Sequence, residues 1–138
     1  MKVLTTGSRT WTGVLGGERI NAVLYLLEGL ATVLESPLRL MNGACPQGAD
    51  KLVQRWADIN DVPLEEFPAD WLGLGKPAGF VRNQFMVNQG ADMCIAFLRD
   101  NSRGTLHTIE RARAAGIPTF VVPWQTSTTD GDHLPLVT

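Results

Sequence analysis

Four short turns carry the residue types from which an anion site can be built: Gly7-Ser8-Arg9, Gly43 to Asp50, Lys76 to Asn83, and Ser102-Arg103-Gly104-Thr105. Where a glycine turn precedes a helix, bare backbone N–H groups can approach a phosphate and the helix N-terminus adds a positive field. Ser102-Arg103-Gly104-Thr105 fits this best, because Gly104 permits close approach and the Ser102 and Thr105 hydroxyls can donate. An N-cap accounts equally well for Ser102 or Thr105 taken alone. Arg9 follows the expected end of a strand, and Arg82 lies on a helix beside Asn83 and Gln84. A guanidinium can grip a phosphate through two parallel hydrogen bonds, although most arginines are solvated surface charges. Gly43, Gly48, Lys76 and Asn83 complete the polar and glycine positions of these turns.

Asp50 stands at a helix start after Gly48-Ala49, where capping is the favoured explanation and recognition of a ribose hydroxyl the sharper one. Trp11 and Trp71 fall in expected loops and are candidates to stack on a base or ribose, whereas Trp56 fits a buried helical stripe. His107 lies on the first turn of the last helix, near the expected phosphate site. His133 reads as a solvated tail residue. Cys45 sits in a glycine-flanked loop, but no base is at hand to make it a nucleophile, and Cys94 reads as core. The two cysteines have neither CxxC spacing nor a histidine pair beside them, so neither a disulfide framework nor a metal site is expected.

The elements that must position these turns alternate. Val3-Leu4-Thr5-Thr6 is a β-prone run ending at Gly7. From Glu18 to Leu34 the residues Ile20, Val23, Leu24, Leu27, Leu30, Ala31 and Leu34 recur at helical spacing. Leu38 to Met41 reads as a second strand, Asp50 to Ile59 as a second helix, and Pro63 to Phe67 as a third, weaker strand. A loop from Pro68 to Pro77 leads into a helix from Ala78 to Asn88, with Phe80, Val81, Phe85 and Met86 expected to face inward. Met93 to Leu98 is nearly all apolar, the signature of a parallel strand buried on both faces. Thr105 to Ala115 makes the last helix, stopped by Gly116 and Pro118, and Thr119 to Val122 the fifth strand. The pattern predicts an α/β, Rossmann-like three-layer sandwich: a mainly parallel five-stranded sheet with helices on both faces. One domain is expected over residues 1–123, with a tail over 124–138 that is free to move or to lie along a neighbour. In such a sheet, ligands sit outside the carboxyl ends of the strands, where the four turns converge.

Composition limits the partners. The 138 residues are 44% hydrophobic and 19% charged, with a formal charge of −2. No whole-protein basic field exists to attract nucleic acid broadly, so nucleic-acid binding is not favoured and any anion site must be local. The first residues lack a signal-like apolar run, and the apolar stretch Ile20 to Leu34 is too short and too interrupted to span a bilayer. A cytoplasmic protein without membrane contact is expected.

Thr6-Gly7-Ser8-Arg9, Gly43-Ala44-Cys45-Pro46-Gln47-Gly48-Ala49-Asp50, Ala78-Gly79-Phe80-Val81-Arg82-Asn83 with Met86, Ala91-Asp92 and Gly104-Thr105 occur in this order. Together they resemble the YspA-like branch of the SLOG superfamily over about Val3 to Val122. The resemblance implies a Rossmann-like fold and a nucleotide-derived ligand, with no further cofactor. Related members include the Lonely Guy phosphoribohydrolases, which release a base from a nucleoside monophosphate, and the DprA proteins, which bind single-stranded DNA. Arg82 then takes the position of the functional arginine of the Lonely Guy proteins, and Gly104 and Thr105 take phosphate-loop positions. Dimers among those relatives imply a homo-oligomer. The chain departs from them at one point: the glutamate needed for glycosidic cleavage is replaced by Thr108, and Glu110 lies roughly 200° further around the helix. Asp50, Asp70 and Asp92 are possible substitutes between which spacing does not choose. The expected function is therefore binding or sensing of a nucleotide-like molecule. Alternatives are an N-glycosidase with a displaced carboxylate and single-stranded nucleic-acid binding.

Overall fold

The computed structural model describes residues 1–125. The proposed motion of the tail, and His133 within it, lie outside these residues apart from the first two positions. Five strands and five helices alternate: β1 (Lys2–Gly7), α1 (Gly13–Val33), β2 (Arg39–Asn42), α2 (Ala49–Asn60), β3 (Leu64–Glu66), α3 (Trp71–Leu74), α4 (Ala78–Asn88), β4 (Met93–Leu98), α5 (Arg103–Ala114) and β5 (Thr119–Pro123). All strand pairs are parallel and the sheet order is β3-β2-β1-β4-β5. This is the Rossmann-like α/β sandwich that the alternation predicts.

Period-two alternation divides the core into two layers. Val3, Leu40, Ile95 and Phe97 point to the face covered by α1 and α2, where they meet Ile20, Leu24, Val53 and Trp56. Leu4, Met41 and Cys94 point the other way, against Met86 and Val87 of α4 and Ala112 of α5. Burial pushes the Cys94 thiol up to about 12, so it is an inert core group. Among the described residues no helix is long and apolar enough to cross a membrane.

Three sequence expectations need correction. Helix α1 begins at Gly13 rather than Glu18, because Gly16 lets the helix press on Trp11: a Cβ there would lie 3.2 Å from the Trp11 ring, and Trp11 Nε1 donates to Gly16 O at 3.0 Å. The loop between β3 and α4 contains α3, started by Asp70, whose carboxylate accepts from Gly73 N–H at 2.9 Å. On α4 the inward face is Ala78, Asn83, Met86 and Val87, while Phe80, Val81 and Phe85 are exposed. Periodicity places an apolar residue on a stripe but does not say which of two adjacent stripes meets the sheet.

Candidate functional site

Connections leave β1 toward β2 and leave β4 toward β5, so the carboxyl ends of the adjacent strands β1 and β4 open a crevice between diverging loops. Ser8 fastens this point. Its N–H donates to Phe97 O at 3.0 Å, and its Oγ accepts from Arg99 N–H at 2.8 Å. Its carbonyl receives Trp11 N–H at 3.1 Å and Ala49 N–H at 3.2 Å. Ser8 thus joins the two strands, its Oγ serving as an acceptor between them.

Above the crevice lies a cavity of about 570 Å³. Gly7, Ser8, Arg9, Gly43, Asp50, Lys76, Arg82, Asn83, Ser102, Gly104 and Thr105 all line it. Four of the residues singled out in the sequence lie elsewhere. Trp11 is fully buried, edge-on to Phe97 and Trp124 at centroid distances of 5.3 and 5.0 Å, so it is core and offers no stacking surface. Gly48 sits beneath the Ser8-Arg9 backbone with φ +77°, a position only glycine fills without strain. Arg103 is exposed outside the cavity. His107 lies behind the wall, stacked on Phe80 at 4.2 Å with its Nδ1 3.2 Å from Asn83 Nδ2. Burial, followed by nearby Arg111, lowers its proton affinity.

The wall also contains residues that the sequence reading passed over. Arg99 and Asp100 follow β4 as Arg9 follows β1, and the rule that placed Arg9 at a strand end applies equally to them. Arg99 donates to Thr10 O at 2.8 Å and lies 4.0 Å above the Trp124 ring. Phe80 and Trp71 form the aromatic part of the lining. The lining holds Arg9, Lys76, Arg82 and Arg99 against Asp50 and Asp100, a local positive excess on a chain of charge −2.

One end of the cavity is the start of α5. Asp100 and Asn101 both adopt left-handed φ, +57° and +47°, turning the chain sharply out of β4. Two successive non-glycine residues in that region cost about 1–3 kcal/mol each unless the surroundings hold them. Ser102 then caps the helix, its Oγ accepting from Thr105 N–H at 3.4 Å and from Thr105 Oγ1 at 3.1 Å. Among the described residues the N–H groups of Arg103 and Gly104 find no acceptor, as expected at a helix start. A Cβ on Gly104 would meet no atom of the described residues within 4 Å.

The other end gathers Arg82 and Asp50. Arg82 Nη1 donates to Gly43 O and, at 3.2 Å, to Phe67 O, while its Nε donates to Asn83 Oδ1 at 2.8 Å. It therefore staples the loops after β2 and β3. Gly43 leaves room for it, since a Cβ would lie 2.6 Å from Arg82 Nη1 and would displace the guanidinium. Burial lowers the arginine's proton affinity, opposed by Asp50 and assisted by nearby Arg9. Asp50 does not cap α2: its Oδ2 accepts from Cys45 N–H at 3.1 Å, holding the preceding loop. Burial raises its pKa to about 6, against the opposing pull of the Cys45 N–H, Arg82 and the Gly43 N–H.

Of the three candidate substitutes for the missing glutamate, only Asp50 faces the cavity. Asp92 accepts from Lys2 N–H at the opposite edge of the sheet, and Asp70 starts α3. Thr108 is fully buried and donates to Gly104 O at 3.2 Å.

A parallel 3-2-1-4-5 sheet with a glycine-lined, positively charged crevice at its β1–β4 junction belongs to the Rossmann-like class of α/β proteins. The chain is a member of the YspA, cpYpsA-related SLOG family, whose sequence profile matches residues 1–73. It is 40% identical over 122 residues to the Gene 61 protein of Mycobacterium phage D29, an alignment covering 85% of this chain and 92% of that relative. No solved structure gives a significant match.

Proposed function

We propose that the cavity binds a nucleotide through its phosphate, seated on the N-terminus of α5. The observation that carries this reading is the open start of that helix: among the described residues the N–H groups of Arg103 and Gly104 have no acceptor and no atom lies within 4 Å of a Cβ on Gly104, with the Ser102 and Thr105 hydroxyls beside it. These donors and the helix dipole suit an anion, and the cationic lining reinforces the field. Trp71 and Phe80 supply apolar surface for a base. Family membership is consistent with nucleotide-related chemistry.

The test is a thermal shift of the purified protein against nucleoside phosphates, ADP-ribose and NAD. A ligand at about 100 times its Kd, binding only the folded state, adds about 2.7 kcal/mol. Gly104→Val is the decisive control, since Gly104 lines the cavity and a Cβ there meets no atom of the described residues within 4 Å. The shift should vanish in this variant; an unchanged shift would place the ligand elsewhere. Arg82→Ala is a poorer control, because Arg82 also holds the Gly43 and Phe67 carbonyls.

A second reading, cleavage of an N-glycosidic bond, is favoured by one observation: a buried carboxyl with a raised pKa, Asp50, lines the cavity that lacks the usual glutamate. Such a group can stabilise an oxocarbenium-like centre or activate water. Release of free base from nucleoside monophosphates, abolished in Asp50→Asn, would support it. Stable nucleotide complexes without base release would leave binding as the activity.

A further inference from the structure

We infer that Asp50 is the specificity-determining acceptor for a ribose hydroxyl, so that the site distinguishes ribonucleotides from deoxyribonucleotides; this rests on the nucleotide reading above. Asp50 is only 7% exposed, yet among the described residues its carboxylate has no ion-pair partner and one hydrogen bond of normal length, from Cys45 N–H to Oδ2, while Gly43 N–H and Arg82 act on it from further away. Holding the Cys45 loop accounts for that oxygen alone. Oδ1 has no donor at hydrogen-bond distance among the described residues, is not sealed off by protein, and belongs to a residue of the cavity wall. A ligand that covers it must supply a donor, because an acceptor left unpaired on desolvation is costly.

Arg82 stands on the same wall with the complementary deficit. Its Nε and Nη1 are engaged by Asn83, Gly43 and Phe67, which leaves Nη2 without an acceptor among the described residues. An acceptor-only oxygen beside a donor-only nitrogen matches a group that both donates and accepts, which a hydroxyl does. A phosphate offers acceptors only and would meet Asp50 with repulsion. The α5 end has the opposite character, presenting donors, so the two ends divide the ligand between anion and sugar.

The two ends are close neighbours. A single side chain, Asn83, bridges them, with its Oδ1 accepting from Arg82 Nε at 2.8 Å and its Nδ2 donating to Gly104 O at 3.3 Å.

Calorimetric titration of the wild type and Asp50→Asn tests this. The probes are the four common ribonucleoside 5′-monophosphates, their 2′-deoxy and 3′-deoxy counterparts, and the unphosphorylated nucleosides. Asparagine keeps an oxygen for Cys45 N–H but turns an amide toward the cavity, so loop integrity and hydroxyl recognition separate. The wild type should bind a ribonucleotide at least about tenfold more tightly than one of its deoxy counterparts, as for a hydrogen bond to a charged group. In Asp50→Asn that ratio should fall to about twofold or less, while the advantage of nucleotide over nucleoside persists. Equal binding of ribo and both deoxy forms by the wild type, with the phosphate still required, overturns the role of Asp50 and leaves the nucleotide reading intact. A ratio that survives in Asp50→Asn overturns it as well. If nucleosides bind as well as nucleotides, or nothing binds, the nucleotide reading fails and this inference with it.

Discussion

Two helices, α2 and α5, begin at the same edge of the sheet, α2 just after Gly48 and α5 with Gly104 in its first turn, yet their starts are built for different ends. At α2 the glycines are filled by protein. A Cβ on Gly48 would lie 2.5 Å from Arg9 Cα, one on Gly7 would collide with Ala49, and Ala49 N–H is taken by Ser8 O. At α5 the glycine faces empty space, and the first N–H groups are unclaimed among the described residues. The lesson is that a glycine at a helix start has two physical uses, tight packing of backbone on backbone and leaving the first N–H groups uncovered. Only the surroundings reveal which applies.

Substitutions can break this contrast. Gly48→Ala should be the most damaging, because it adds strain at φ +77° to a clash with the Ser8-Arg9 backbone; a loss of about 3–4 kcal/mol in chemical denaturation is expected. A loss under about 1 kcal/mol would show that the α2 start is as open as that of α5.

Asp50→Asn, also in the first turn of α2, sharpens the comparison by pH. The folded-state pKa of about 6 exceeds the ordinary 3.8, so the folded protein binds this proton more tightly than the unfolded chain does. That stabilisation is complete below 3.8 and is lost as pH rises through about 6, a difference of up to about 3 kcal/mol. The variant should therefore melt above the wild type at pH 7.5, and the advantage should shrink as pH falls toward 4. A constant difference across that range would refute the buried-carboxylate account.

Effects at α5 should be smaller on stability and larger on binding. Ser102→Ala removes a helix cap and should cost about 1 kcal/mol, measured by thermal melting, together with weaker nucleotide binding. Gly104→Ala should be neutral or stabilising by about 0.5–1 kcal/mol, as for a helical glycine in open space. It should still reduce affinity in the titration; destabilisation there would mean that protein, not ligand, fills the space.

Much of the fold was legible because its signals are local. The apolar run Met93–Leu98 marked an interior strand, β4, and Gly116 and Pro118 marked the end of α5. Among the candidate residues, the turns singled out in the sequence include Arg9, Arg82, Asn83 and Gly104, all of which line the cavity. What escaped depends on partners distant in sequence. Trp11 resembled a loop aromatic because Phe97 and Trp124, which bury it, lie more than eighty positions away. The Gly48 packing depends on Ser8 and Arg9, and the role of Asp50 depends on Cys45 and on how deeply the helix sinks. Arg99 was available to the same argument that found Arg9, but it was hidden at the edge of an apolar strand.

The hydrogen bonds that Ser8 makes with Phe97 and Arg99 also carry a kinetic consequence. They close a loop of about ninety residues, and contacts of such range slow folding because chain entropy must be surrendered before they form. The segment of residues 1–73 supplies the wall with the packed glycines, while the open helix start of α5 arrives only with β4 and α5. On a ribosome or in a refolding experiment, the capacity to hold a ligand should therefore appear late, after the docking of β4 beside β1. A nascent chain stopped before Met93 would have one wall of the cavity and nothing with which to close it.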